Sequence, residues 1–231
     1  MESRTTMEAR YLDRSEAGRD LAERLTAYAD RPGVIILALP RGGVPVAFEV
    51  AQRIRAPLDV YTVRKLGVPG HEELAMGAVA SDGRYVIDRR VVEELRVPQR
   101  LFNHTLRREL AELRRRERAY RGDLARPALG GKTVVLVDDG IATGSTMSAA
   151  VQSLRDQSPA QVIVAVPVGS ADTCAMLARL ADDVVCAQVP PDFRAVSLWY
   201  DHFPQTSDRE VRDLLDRASR VSNEWREVSQ P

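Results

Sequence analysis

The chain has 231 residues and carries 33 basic and 33 acidic side chains, so its net charge is zero. That balance argues against a general nucleic-acid binder, which is usually basic overall. No hydrophobic run approaches the ~18 residues of a membrane span, no signal peptide precedes Tyr11, and Cys174 and Cys186 make neither a CxxC nor a disulfide framework; a cytoplasmic protein is expected.

Residues 1–12 show no pattern and read as loose. Asp13 or Ser15 can cap a helix through about Tyr28, with Leu21, Leu25 and Tyr28 at helical spacing. Residues 33–39, GVIILAL, are too apolar for anything but a central strand. They run into Pro40, Arg41, Gly42 and Gly43, after which 44–53 reads as a helix. Strand, glycine turn, helix is a place where backbone can approach an anion closely. A strand over 58–63 leads into RKLGVPGHEE at 64–73, whose cations, glycines, proline and acids read as a mobile polar loop. HEELA at 71–75 lacks the second histidine of HExxH, so no zinc site is assigned.

Asp82-Gly83 between 76–80 and 84–87 is a hairpin signal. A helix follows over about 88–95, and Pro98 opens a long one to about Tyr120. Leu106, Leu110 and Leu113 form its apolar stripe. Its many arginines read as a solvated face, with Glu112 and Arg116, and Glu117 and Arg121, as i,i+4 pairs. GGKT at 130–133 imitates the end of a Walker A loop but precedes its strand and has Arg126 where a glycine belongs, so it reads as a turn.

The stretch that decides function is 134–146, VVLVDDGIATGST. Four apolar β-formers predict a buried parallel strand. Asp138 and Asp139 sit at its carboxyl end, where open α/β sheets bind ligands. The following Ala142, Thr143, Gly144, Ser145 and Thr146 can turn backbone N–H groups and hydroxyls onto an anion at the start of the next helix. Carboxylates beside an anion cradle suit a sugar phosphate. A helix over 147–156, a strand over 161–167, a helix capped by Ser170 to Leu180 and a strand over 183–188 complete the pattern. Strands separated by helices mean βαβ units, hence an open, mostly parallel twisted sheet with helices on both faces. Residues 190–206 break it with Phe193, Trp199, Tyr200 and Phe203, rings that could stack on a flat base or simply cap the sheet. Ser207 starts a last helix to about Ser219, followed by a frayed tail.

The 134–146 string resembles, at all thirteen positions, the binding motif of type I phosphoribosyltransferases, the enzymes that use phosphoribosyl pyrophosphate (PRPP). The resemblance extends over 14–203 within one expected domain, 1–231, with a small hairpin excursion and a C-terminal hood. It implies that Asp138 and Asp139 hold the ribose hydroxyls and, mostly through water or PRPP, Mg2+. It implies that 142–146 hold the 5′-phosphate, and that Arg41, Gly42 and Gly43 form the pyrophosphate loop, with a cis peptide at or next to Arg41. Arg64 and Lys65 on a closing loop would meet the pyrophosphate, Glu72 or Glu73 would handle a proton of the base, and Trp199, Tyr200 and Phe203 would hood it. Enzymes for 6-oxopurines carry an Asp where this chain has Ala142, which disfavours hypoxanthine and guanine. The implied activity is Mg-dependent phosphoribosyl transfer from PRPP to a nitrogenous base by a homodimer. A non-catalytic PRPP- or nucleotide-sensing protein and a sugar-phosphate hydrolase or phosphorylase on a similar scaffold are the competing readings.

Overall fold

The computed structural model describes residues 10–228 apart from 81, 123 and 124, with side chains to 222. Five strands make its centre: β1 Val34–Ala38, β2 Leu58–Val60, β6 Thr133–Val137, β7 Gln161–Val168 and β8 Asp183–Gln188. They form one all-parallel sheet in the order β2-β1-β6-β7-β8. All five residues of β1 are buried, as are the last four of β6. Continuous apolar runs of this kind belong to strands covered on both faces.

Alternation along each strand sends its side chains to two helical layers. Ile36, Ala38, Val135, Val137, Ile163 and Ala165 meet α1 (Arg14–Arg24), α2 (Gly43–Ile54) and α7 (Asp208–Val228). Ile35, Leu37, Val134, Leu136, Val162 and Val164 meet α5 (Ser145–Arg155) and α6 (Ala171–Leu177). The expected doubly covered parallel sheet is therefore present. From β1 the chain winds outward through α2 to β2; from β6 it winds the other way through β7 to β8. The winding reverses between β1 and β6, which are paired so that Ala38 lies beside Val137. The crevice outside their carboxyl ends is where such sheets bind ligands.

Several expectations about elements are corrected. The strand read over 58–63 ends at Val60, and the loop read over 64–73 is mostly strand. β3 (Val63–Val68) and β4 (His71–Ala80) form an antiparallel hairpin, extended by β5 (Tyr85–Ile87), with register shifts between Leu66 and Val68. This three-stranded excursion buries Leu66, Val68, Met76 and Val79 against α3 (Arg89–Glu94) and the stripe of α4 (Gln99–Arg121), including Phe102 and Leu113. Glycines and Pro69 masked that pairing because its apolar partner, α4, lies some 40 residues on. Tyr11 and Leu12 are not loose: Tyr11 bridges in parallel to Tyr200. Residues 1–9 lie outside the described part. α6 stops at Leu177 rather than Leu180, and α7 continues to Val228 where a tail was expected. No helix among the described residues is long and apolar enough to cross a membrane.

Candidate active site

The site is built from the two loops that leave β1 and β6 side by side. The peptide bond Pro40–Arg41 is cis, the conformation expected there. It hands the chain to Gly42 and Gly43, where α2 begins. A side chain on Gly42 would stand 2.0 Å from Asp139 Oδ2, and one on Gly43 would stand 2.7 Å from the Val137 carbonyl oxygen. Glycine is needed here so that one loop can lie directly on the other. The N-termini of α2 and α5 both open at this crevice, so two helix dipoles favour an anion in it.

Asp138 and Asp139 follow β6 into the crevice. Asp138 Oδ1 accepts the Asp139 N–H at 2.9 Å. Asp139 Oδ2 accepts from Arg14 Nε at 2.8 Å, with side-chain exposures of only 15% and 10%. Burial raises the Asp138 carboxyl well above its ordinary range, and the charge of Asp139 adds to this. Burial also raises Asp139, while Arg14 pulls it back. Two packed carboxylates share one arginine, so the pair is under-neutralised and suits a cation or a diol. No cluster of three or more metal-ligating side chains exists among the described residues. This donor set fits a magnesium ion that takes most of its ligands from substrate and water.

The loop beyond the acids is exposed at Ala142, Thr143, Ser145 and Thr146. Gly144 caps α5 with φ +70, and a side chain there would strike Thr173. Thr143 and Ser145 hydroxyls lie 3.2 Å apart. From below, Thr173 Oγ1 donates to the Ala142 carbonyl at 2.6 Å, so α6 braces the loop.

The other residues singled out in the sequence fall into two groups. Arg41 is next to the crevice, 3.6 Å from Asp208 at the start of α7, and Tyr120 donates to that same carboxylate at 3.0 Å. Arg64 and Lys65 lie on β3. Arg64 is bound by the buried Glu109 of α4, and Lys65 Nζ donates to the Glu73 carbonyl at 2.8 Å. Glu72 and Glu73 line a cleft of about 530 Å3 with His71, Leu74 and Leu95. None of the four bonds to the acid pair or the glycine turn among the described residues.

The hood rings are close to the acids. Tyr200 is buried, its hydroxyl donating to the Asp139 carbonyl at 2.6 Å, and burial together with that neighbouring carboxylate raises its pKa. Phe203 packs on Tyr200 with ring centroids 4.8 Å apart. Trp199 is half-exposed beside them. Arg14, Glu109, Thr173 and Asp208 were not singled out in the sequence. Their contacts reach 125 residues for Arg14 and 45 for Glu109, and a local pattern carries no signal at that range.

A family model described as phosphoribosyl transferase domain matches residues 9–198. The chain belongs to that family. The crystal structure of TT1426 from Thermus thermophilus superposes with a TM-score of 0.79 at 40% identity, covering 89% of this chain and 97% of that one. Two Mycobacterium tuberculosis proteins, named "Putative phosphoribosyl transferase Rv0571c" and "Putative phosphoribosyl transferase MT0597", are each 48% identical over 208 residues, 90% of this chain. The chain spans about half, 47%, of the length of these two relatives. The family match covers both site loops and ends just before Trp199, Tyr200 and Phe203 of the hood.

Proposed function

We propose that this phosphoribosyltransferase-family chain moves the 5-phosphoribosyl group of PRPP to a nitrogenous base and releases pyrophosphate. One observation carries the reading. The acid pair after β6 and the glycine turn after β1 touch across the switch-point crevice, with two helix N-termini opening into it. A diol, a phosphate and a pyrophosphate on one ligand need those three kinds of contact within a few ångströms.

Asp138 and Asp139 would hold the ribose hydroxyls and lend negative potential as positive charge develops on the sugar. Residues 142–146 would hold the 5′-phosphate. Backbone at Gly42 and Gly43, with the Arg41 guanidinium, would hold the pyrophosphate. Magnesium, held by the acid pair largely through water and PRPP, would neutralise the leaving group. Arg64, Lys65, Glu72 and Glu73 would act only after the β3–β4 hairpin moves toward the crevice. Trp199, with Tyr200 and Phe203 behind it, would flank the base. Ala142 disfavours a 6-oxopurine. The active form is proposed as a cytoplasmic homodimer.

The test is PRPP, magnesium and a panel of purine, pyrimidine and simpler nitrogen bases, read as pyrophosphate release. Release with one base supports transfer. PRPP binding without release for any base selects a sensor instead, and no PRPP binding at all overturns the site.

A further inference from the structure

Arg14 is the first residue of α1, directly after the capping Asp13. Its guanidinium reaches three places at once. Nε donates to Asp139 Oδ2 at 2.8 Å, Nη1 donates to the Pro204 carbonyl at 2.7 Å, and the plane lies 3.8 Å over the Phe203 ring. With a side-chain exposure of 10%, it is a desolvated cation matched to one carboxylate. Asp139 is gripped a second time by the hood, because Tyr200 donates to its carbonyl at 2.6 Å. The hood is in turn zipped to the segment before α1. Tyr11 N–H donates to the Trp199 carbonyl, Asp201 N–H to the Tyr11 carbonyl and His202 N–H to the Leu12 carbonyl, at 2.9–3.0 Å.

We propose that Arg14 is the positioning residue that ties the hood to Asp139, so that a ligand filling the acid pair also steadies the hood. This deepens the phosphoribosyl-transfer reading and rests on it for the ligand. A ligand that fixes the Asp139 carboxylate fixes the anchor of Arg14, and through it Pro204 and Phe203. A guanidinium can serve a carboxylate, a carbonyl and a ring face together because its donors form a rigid planar fork. An ammonium is a point charge and cannot keep all three. The hood therefore stays docked over the site only while Asp139 is held in place.

The experiment is hydrogen exchange of the amides of Tyr11, Asp201 and His202, with and without PRPP and magnesium, alongside PRPP affinity. Wild type, Arg14→Lys, Arg14→Gln and Phe203→Leu are compared, with far-UV circular dichroism and melting temperature to check folding. In wild type, PRPP should slow exchange of the three amides. Arg14→Gln should speed their exchange in the free protein and weaken PRPP binding, each by about tenfold, the effect of one lost charge-assisted hydrogen bond. Arg14→Lys should restore PRPP affinity to within about threefold, since it keeps the charge pair, yet leave the hood amides exchanging fast because the fork is lost. Phe203→Leu should open the hood in the same direction with every residue of α1 retained, and decides the matter if Arg14→Gln does not fold. Unchanged hood exchange in folded Arg14→Gln overturns the tether. PRPP binding that leaves wild-type hood exchange unchanged overturns the coupling, with the transfer reading intact. Failure of wild type to bind PRPP overturns the transfer reading, while the free-protein exchange still decides the tether.

Discussion

At the scale of single residues, the site is a place where folding stability is given up. Asp138 illustrates this. Burial, then the neighbouring Asp139, raise its carboxyl well above the ordinary range. The folded protein therefore holds this proton more tightly than the unfolded chain. The group's contribution to stability is present below the unfolded value of about 3.9 and is lost as pH rises through the folded one. Above that point the ionised pair works against the fold. We predict that, in chelator-treated protein, Asp138→Asn melts at or above the wild-type temperature at pH 8. The gap should shrink as pH falls toward 5, and PRPP should give no thermal shift in the variant. Scanning calorimetry across that range checks it, and a gap that stays constant with pH sinks it. Gly42 gives a second test. An alanine Cβ would stand 2.0 Å from Asp139 Oδ2, a carboxylate already held by Arg14, so that carboxylate or the turn must move. A displacement near 1 Å in a positioning group costs about 100-fold in kcat/KM. Gly42→Ala should show a loss of that order with little change in melting temperature. The need for glycine at Gly42 and Gly43 could be read locally, because a strand, a glycine turn and a helix in succession imply close backbone approach. The need for Arg14 could not, since nothing near α1 points to Asp139.

At the scale of elements, legibility followed packing range. β1 and β6 were plain because a strand buried on both faces must be apolar throughout, whatever it packs against. The β3–β4 hairpin was not. Its Gly67, Pro69 and Gly70 satisfy a turn and register shifts, and its charged residues other than Arg64 are exposed; Leu66, Val68, Met76 and Val79 mark an inward face, and their partners include Phe102 and Leu113 of α4. The same helix binds Arg64, which the resemblance assigns to the pyrophosphate. Glu109, 5% exposed, takes both Arg64 and, at 2.9 Å, Arg108. Removing the carboxylate would leave two guanidinium groups at a mostly covered site, although Arg64 and Arg108 themselves reach solvent at 33% and 58%. We predict that Glu109→Ala lowers stability by about 1–3 kcal/mol, read as a shift of the urea midpoint at constant slope. A change under about 0.5 kcal/mol, the scale of an ordinary surface substitution, would show that water already replaces this pairing. Arg115 and Arg116 of α4 bear out the solvated, ion-paired face, whereas Arg121, 7% exposed, is ion-paired but covered. Arg115 and Arg116 both hydrogen-bond Glu112, lowering its carboxyl to about 2, and Arg121 binds Asp59 and Glu117.

At the scale of the whole molecule, charge is matched locally as well as in total. Arg14 with Asp139, Arg41 with Asp208, Arg64 with Glu109 and Lys65 with Glu73 pair nearly every charge that the sequence offered to a ligand. The free protein thus holds its site in a self-complemented state, and a ligand must displace or share these partners. Among the described residues the exposed Glu72 and the packed Asp138 stand outside these pairs, and the Asp138 carboxylate meets a backbone N–H and a second acid. Ligand binding should therefore stabilise the chain most when it brings positive charge to that carboxylate. PRPP with magnesium at a hundred times its Kd would add about 2.7 kcal/mol of stability by mass action. For a chain of this length, about 2–4 °C per kcal/mol makes this a rise of about 5–10 °C in Tm. PRPP with a chelator should give a much smaller rise, because its pyrophosphate would meet the acid pair unshielded. Pyrophosphate with magnesium should fall between, having the metal but no ribose hydroxyls. Asp138→Asn with Asp139→Asn should abolish all three responses and still fold. An equal shift from PRPP with and without magnesium would place the ligand's charge away from Asp138, and the metal would then have no part in this site.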